Sequence, residues 1–150
     1  KITESLGGAG IWGIEFFLTA DGVVFSELSP RPHDTGMVTL AGTQNLNQFE
    51  LHTRAFLGYP IPNVISKRSG VSSVLLALDD GNIEPKYIGI EEALKEENTE
   101  LRIFGKPSTR EFRRMGVVLV DDILGSDMDL LRKKANDTVA SIKVLSRSKI

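Results

Sequence analysis

Apolar and β-prone residues alternate along two short runs on either side of the stretch Ala20-Asp21-Gly22. Alternation on both sides of a glycine-containing turn predicts a β-hairpin. A three-residue loop with Gly22 in the left-handed conformation is a common hairpin connection and places Glu15 opposite Glu27. A two-residue loop would instead send the two glutamates to opposite faces. The expected core face consists of Ile14, Phe16, Leu18, Val24 and Leu28.

Helical spacing replaces alternation further along the chain. The apolar side of this predicted helix is formed by Leu46, Phe49, Thr53 and Phe56. Asn45 is the expected N-cap, Gln48 its capping-box partner, and Gly58 and Pro60 end the helix. The glycine- and proline-rich segment 58–70 is the best candidate for a domain boundary.

Beyond this boundary the pattern predicts a β-rich unit that ends in a helix. The predicted strands are 71–78, 100–104 and 113–120, and a short helix spans 91–97. The last helix is expected to begin at Ser126, with Asp129 completing a capping box. Its apolar stripe consists of Met128, Leu131, Ala135, Val139 and Ile142.

Composition narrows the class of protein. Of the 150 residues, 41% are hydrophobic and 25% charged, which is typical of a globular domain. The net charge of −2 favours neither nucleic acid nor an anionic membrane as a partner. No apolar run approaches the length of a membrane span. The absence of cysteine excludes disulfides and thiolate metal sites and favours a reducing compartment such as the cytoplasm.

The stretch GAGIWG, residues 8–13, matches the dinucleotide-binding pattern G-x-G-x-x-G. That motif requires a strand before it and a helix after it, so that the pyrophosphate meets a helix N-terminus. Here a predicted strand follows instead. The context therefore favours a flexible turn that leads into the hairpin.

Glu15 and Glu27 are the first candidate site residues. Side chains directly opposed in a hairpin have Cβ atoms about 5 Å apart, and two carboxylates at that distance repel unless a proton or a cation lies between them. Mg²⁺ suits one or two carboxylates together with phosphate oxygens. Ser29, on the same face, could add a hydroxyl oxygen. Spacing alone favours a solvated surface pair over this metal site.

The segment after the hairpin is stiff and polar. Arg31 lies between two prolines, and a guanidinium held in place suits a transferring phosphoryl or acyl-phosphate group. The alternative is an exposed loop arginine. Asp34 is expected either to pair with a cationic substrate group or to cap the following turn. His33 is interpreted as structural within its turn, and His52 as a helix-surface residue.

A second cluster of charge lies in GKPSTREFRRMG, residues 105–116. Four cations in nine positions suit a phosphate site, and the alternative is a solvated basic loop. If Arg113 and Arg114 share one ligand, they must lie in a loop or at a strand end, because adjacent strand residues point in opposite directions. The cations are Lys106, Arg110, Arg113 and Arg114.

Three stretches, taken together, resemble the C-terminal part of formate-dependent phosphoribosylglycinamide formyltransferases, a family of ATP-grasp enzymes in purine biosynthesis. The first is residues 6–40, which include SPRPHDTGMVT. The second is residues 51–62, LHTRAFLGYPIP, and the third is residues 103–120, IFGKPSTREFRRMGVVLV. The related carboxyaminoimidazole ribonucleotide synthetases have a similar Pro-Arg-Pro-His stretch, but Ser29 and Asp34 favour the formyltransferases. Segment 79–100 is the least similar.

The resemblance implies a reaction and a set of roles. ATP and formate would give formyl phosphate, which the amine of glycinamide ribonucleotide would attack. Glu15 and Glu27 would hold Mg²⁺ against the ATP phosphates, and Asp34 would contact the ribonucleotide. The ribonucleotide's phosphate would be held by Lys106, Arg113 and Arg114. Arg31 is predicted to act on the acyl phosphate from its chemistry more than from the family.

The resemblance also implies a fold class of α+β. Residues 1–62 would complete an ATP-grasp lobe with antiparallel strands and a helix, and 66–150 a small β-rich, barrel-sandwich-like domain closed by the last helix. The adenine pocket and the phosphate-covering loop would lie before Lys1, and the full-length enzyme would be a homodimer. Two alternatives stay open: another ATP-grasp ligase, such as the carboxyaminoimidazole ribonucleotide synthetase, or a non-catalytic module that binds phosphorylated metabolites.

Overall fold

The computed structural model describes residues 2–81 and 84–146 as a mixed arrangement of helices and antiparallel strands. The other residues, Lys1, 82–83 and 147–150, belong to the two predicted domains but lie outside the described part of the chain. No helix within the described part is long and apolar enough to cross a membrane.

The chain begins with a short helix α1, Ile2–Leu6, and the predicted hairpin follows as β1, Gly13–Thr19, and β2, Gly22–Ser29. The predicted three-residue loop is wrong: Thr19 pairs with Gly22, so only two residues form the turn. Glu15 nevertheless pairs with Glu27, because the register shifts at a β-bulge between Glu15 and Phe16. A bulge sets two residues of one strand against one of the other, and here it restores the register that the shorter turn removes.

The expected core face of the hairpin is not covered by other described residues. Phe16 and Leu18 are exposed, Leu18 to 86% of its surface, and so are Phe17 and Val23 on the same ribbon. The alternating pattern correctly predicted the strands. It was wrong about burial, because the described part of the chain supplies no second layer for this ribbon to pack against.

A 3-10 helix, Asp34–Ala41, follows the proline-rich segment and was not predicted. Helix α2, Gln48–Leu57, comes next and ends as predicted at Gly58, which adopts a left-handed conformation. Its N-cap is Asn47, with Glu50 as the reciprocal partner, rather than Asn45 with Gln48. Asn45 instead bridges to the loop before the next strand, accepting from the backbone N–H of Ile65 (2.8 Å).

We expect Asn47→Ala to lower the free energy of unfolding by about 1 kcal/mol, because it leaves the backbone N–H groups of Phe49 and Glu50 without their acceptor. Urea unfolding measures this change. Asn47→Asp, which keeps the oxygen acceptor, should stay close to the parent. Equal loss in both variants would show that the side-chain cap is not the stabilising contact.

The second half is built on a three-stranded antiparallel sheet in the order β3–β6–β5. Its strands are β3, Arg68–Leu76; β5, Thr99–Ile103; and β6, Arg114–Ile123. A separate antiparallel pair, not predicted from the sequence, joins β4, Pro85–Ile88, to β7, Lys143–Ser146. Helix α3, Ile90–Ala93, is shorter than predicted. Among the residues that the structure describes, the strands of each sheet are antiparallel and no sheet closes into a barrel.

Strand β6 is central and is buried on both faces, which explains its continuous apolar run. One face joins the main core, together with helix α4, Met128–Ser141. The other face packs against the 3-10 helix, where Ala41 meets Val117 and Leu119. This second contact brings the segment after the hairpin up to the start of β6.

Helix α4 is capped one residue later than predicted. Its N-cap is Asp127, whose carboxylate accepts from the backbone N–H groups of Asp129 and Leu130. Ser126 bonds the carbonyl oxygen of Ile123 and does not cap the helix. The predicted stripe does face the core through Leu131, Ala135 and Ile142.

Candidate active site

The Glu15 and Glu27 side chains stand opposite each other at the end of the hairpin nearest the proline-rich segment. Each of them has one hydrogen-bonding neighbour. The hydroxyl of Ser29 donates to Glu27 Oε1 (3.0 Å), and His33 Nε2 lies 2.9 Å from Glu15 Oε1. Ser29 is the last residue of β2 and His33 lies four residues further on, so the local sequence itself builds this arrangement.

The carboxylate pair is chemically suited to a hard cation. Among the described residues, no group of three or more histidine, cysteine or acidic side chains surrounds a common point. Two carboxylates without further protein ligands fit Mg²⁺, which usually keeps several waters and binds substrate phosphates. Glu15 and Glu27 would hold such an ion, and the remaining ligands would be water and phosphate oxygens.

His33 is tied into the structure at three points. Its ring nitrogens face Glu15 and the hydroxyl of Thr35 (Nδ1 to Oγ1, 3.3 Å). Its backbone N–H donates to Oε1 of Gln48 (3.1 Å), a side chain that is almost fully buried. Helix α2 therefore fixes the backbone that carries His33 beside the hairpin.

Two glycines make this close approach possible. A Cβ atom at Gly13 would lie 2.9 Å from the Cβ of His33. One at Gly36 would lie 2.1 Å from Oε1 of Gln48. Real Cβ atoms are not found at such separations, so any larger residue at either position would displace the histidine or its support.

Asp34 and Arg114 form an ion pair between the 3-10 helix and the first residue of β6. They are 80 residues apart in the sequence. Both side chains are substantially exposed, so the pair adds little stability. Its consequence is geometric: two of the predicted substrate-binding residues are in contact.

The basic loop, residues 105–116, carries the other predicted phosphate ligands. The ammonium of Lys106 donates to the backbone carbonyl of Arg114 and lies 5.6 Å from the ring centroid of Phe104. Partial burial lowers the pKa of Lys106, and the nearby Arg113 and Arg110 guanidinium groups lower it further. Repulsion among these cations is what an anionic ligand would relieve.

Arg113 and Arg114 lie where β6 begins, so they could have shared one ligand, but their side chains diverge. Arg113 donates to the hydroxyl of Ser108 (2.9 Å) and faces a pocket of about 440 Å³, whereas Arg114 pairs with Asp34. The turn between Arg110 and Arg113 is set by Phe112, which adopts a left-handed conformation with φ 60°. Such a backbone is costly for a bulky residue.

Arg31 is exposed, and its guanidinium donates to the backbone carbonyl of the adjacent Pro32 (3.1 Å). Its role on an acyl phosphate therefore stays a prediction. The interpretation of His52 as a helix-surface residue was incomplete. Its Nδ1 accepts from the backbone N–H of Ile11 (3.0 Å), which anchors the glycine-rich stretch before β1.

Two family models match the chain. The model described as ATP-grasp domain matches residues 1–49, and the one described as PurT, C-terminal, matches residues 70–142. Among solved structures, a carboxyaminoimidazole ribonucleotide synthetase from Thermotoga maritima is 36% identical, with a TM-score of 0.82. The alignment covers 96% of this chain and 39% of that one. The chain belongs to the ATP-grasp superfamily.

Among curated relatives, the formate-dependent phosphoribosylglycinamide formyltransferases of Chlorobium phaeobacteroides and Bacteroides thetaiotaomicron are 59% and 60% identical. The alignments cover 97% and 96% of this chain. The chain spans about 37% of the length of both relatives. Within the superfamily, the chain matches the C-terminal part of the formate-dependent phosphoribosylglycinamide formyltransferases, as the resemblance predicted.

Proposed function

We propose that these residues form the C-terminal part of a formate-dependent phosphoribosylglycinamide formyltransferase. The observation that carries the proposal is the opposed pair Glu15 and Glu27, next to an ion pair that joins Asp34 to the basic loop. The high identity to relatives with that name supports the formyl donor. The exposed apolar hairpin is consistent with further ATP-grasp structure packing on it in the complete protein.

In the proposed reaction, a formate oxygen attacks the γ-phosphorus of ATP, and the bond from that phosphorus to the bridging oxygen breaks to release ADP. The amine of glycinamide ribonucleotide then attacks the carbonyl carbon of formyl phosphate. Phosphate leaves, and the nitrogen loses a proton. A bound Mg²⁺ would offset the negative charge of the phosphates.

The residues of this chain would bind and orient the reactants. Glu15 and Glu27 are proposed to hold the cation, and Arg31 to balance charge on the acyl phosphate. Asp34 is proposed to orient the ribonucleotide. The ribonucleotide's phosphate would be held by Lys106, Arg113 and Arg114. Lys106 lies within electrostatic reach of Arg113 and donates to the backbone carbonyl of Arg114.

Donor dependence tests this proposal. The complete protein would be given ATP, Mg²⁺ and glycinamide ribonucleotide, and ADP release would be compared with formate, with bicarbonate and with neither. Release that depends on formate is expected. The structural similarity to the carboxyaminoimidazole ribonucleotide synthetase makes bicarbonate the informative alternative, and dependence on bicarbonate would contradict the proposal. The 150 residues alone are expected to be inactive, and turnover by them would contradict that expectation.

We expect Arg114→Ala in the complete protein to raise the KM for the ribonucleotide by about 10- to 100-fold. A hydrogen bond to a charged group contributes about 1.5–3 kcal/mol, and each 1.4 kcal/mol is about tenfold in affinity. Steady-state kinetics measures the effect. Arg132→Ala removes an equally exposed arginine on α4 and should leave this KM unchanged. An unchanged KM in Arg114→Ala would remove Arg114 from the phosphate site.

Two further proposals concern the whole protein. We propose that the full-length enzyme is a homodimer located in the cytoplasm. Sedimentation of the complete protein tests the first of these. The predicted domain limits, 1–62 and 66–150, also stay predictions, although the two family matches fall one on each side of residues 50–69.

A further inference from the structure

We infer that His33 is a positioning residue that holds the carboxylate of Glu15 in the orientation needed to bind the metal–nucleotide complex. The observation is the contact between His33 Nε2 and Glu15 Oε1 at 2.9 Å, made by a ring whose side chain is 18% exposed. This inference rests on the proposed function, since it assigns to Glu15 the role of metal ligand.

The hydrogen-bonding partners of the ring determine which nitrogen carries the proton. A carboxylate accepts and cannot donate, so Nε2 must donate to Glu15. The Thr35 hydroxyl can supply a proton to Nδ1, at 3.3 Å. A ring with its proton on Nε2 thus satisfies both contacts and orients Glu15.

Glu15 needs such a donor because of its neighbour. Two opposed carboxylates repel, and without a cation between them their side chains would turn away from each other. Glu27 is held by the Ser29 hydroxyl, and His33 supplies the equivalent contact to Glu15. In each pair the contact is made to one carboxylate oxygen, Oε1. Outer hydrogen bonds of this kind fix the orientation of metal-binding side chains and tune their affinity.

The His33 ring is also held rigidly enough to orient the Glu15 carboxylate. Its backbone N–H is anchored to the buried Gln48, whose own backbone N–H donates to the hydroxyl of Thr39 (2.9 Å). On the other side the His33 side chain packs against Gly13, two residues before Glu15 on β1 and therefore on the same face. The histidine is clamped between the hairpin and α2, so its position does not depend on the metal.

Metal affinity in the complete protein tests the inference without relying on turnover. Titration calorimetry with Mn²⁺ in the presence of ADP would compare the parent with His33→Asn and His33→Gln. An Asn amide lies near the position of Nδ1, whereas a Gln amide reaches the position of Nε2 and can donate to Glu15. We expect His33→Asn to weaken Mn²⁺ binding by about 10- to 100-fold and His33→Gln to stay within about threefold of the parent.

The second histidine provides a matched control. His52 accepts a backbone N–H through Nδ1, and an Asn amide oxygen can replace that acceptor, so His52→Asn should leave Mn²⁺ affinity unchanged. Gly13→Ala provides a second route to the same result if His33→Asn does not fold. Its methyl group would push the His33 side chain away from Glu15, and Mn²⁺ binding should weaken with the histidine still present.

The outcomes distinguish failure of the positioning role of His33 from failure of the proposed metal site. Parent-like affinity in both His33→Asn and Gly13→Ala would overturn the positioning role. Equal losses in His33→Asn and His33→Gln, at unchanged melting temperature, would overturn the Nε2 hydrogen bond as its cause. Glu15→Gln is the test of the metal site itself: if that variant binds Mn²⁺ as the parent does, the proposed metal pair and this inference fail together.

Discussion

Glu15→Gln is expected to lower formate-dependent ADP release by the complete protein by at least about 100-fold. The change removes one negative charge from the opposed pair of carboxylates that we propose as the cation site, while the size of the side chain stays the same. Loss of an outer contact to a metal site typically costs about 10- to 100-fold, so loss of a direct ligand should reach or exceed the upper end of that range. Coupled-enzyme measurement of ADP gives the rate.

The control for this change is Glu91→Gln, which removes an exposed carboxylate on α3 and should leave the rate unchanged. The same experiment separates an enzyme from a module that only binds phosphorylated metabolites. Such a module has no need for Glu15 to face Glu27. Turnover that survives Glu15→Gln would therefore rule out the metal pair. Absence of turnover in the parent, together with a ligand affinity that Glu15→Gln leaves unchanged, would indicate the binding module.

The second large effect concerns stability. Leu75→Ala is expected to lower the free energy of unfolding by about 2–5 kcal/mol. Leu75 is 1% exposed and lies in the core between the central sheet and α4. The change removes buried apolar surface and leaves a cavity that close-packed neighbours cannot fill. Urea denaturation, followed by far-ultraviolet circular dichroism, measures the difference.

Leu78 is the matched comparison for Leu75. It lies three residues further along and is 54% exposed, so Leu78→Ala removes the same atoms with little lost burial. We expect its effect to be well below that of Leu75→Ala. Equal effects in the two variants would mean that the core around the sheet does not determine the stability of this chain.

The hairpin illustrates how far the sequence alone can carry a structural prediction. The pairing of Glu15 with Glu27 was correct, although the loop used to derive it was wrong. A two-residue turn and a β-bulge near Glu15 shift the register in opposite directions and cancel at the glutamates. Bulges depend on local twist and on tertiary packing, and no residue pattern in this stretch predicts one.

Other elements also divide into those that the local sequence pattern predicted and those that depend on packing. The run MGVVLV correctly predicted a strand, and its burial on both faces explains why the apolar residues are continuous. The 3-10 helix was missed because its eight residues include Thr35, Gly36 and Thr39, which disfavour helix, and because packing on β6 stabilises it. The cap of α2 was placed two residues early, since Asn45 and Asn47 are equally good caps by composition.

The candidate site was predictable in its residue types but not in its contacts. Asp34 was expected to pair with a cationic substrate group or to cap the following turn, whereas its pairing with Arg114 depends on the 3-10 helix docking against β6. The contact of His33 with Glu15 had one available signal, Gly13 two residues before the glutamate, and its meaning is clear only once the hairpin and α2 are placed together. Long-range packing therefore supplied what the local patterns lacked.

The most direct test of the central claim follows the oxygen atoms of formate. If formyl phosphate forms, the complete protein supplied with ¹⁸O-labelled formate, ATP, Mg²⁺ and glycinamide ribonucleotide should release phosphate that carries one labelled oxygen. The second labelled oxygen should remain in the formyl group of the product. Mass spectrometry of the phosphate reads this directly. Unlabelled phosphate alongside formylated product would contradict the acyl-phosphate reaction that we propose for this chain.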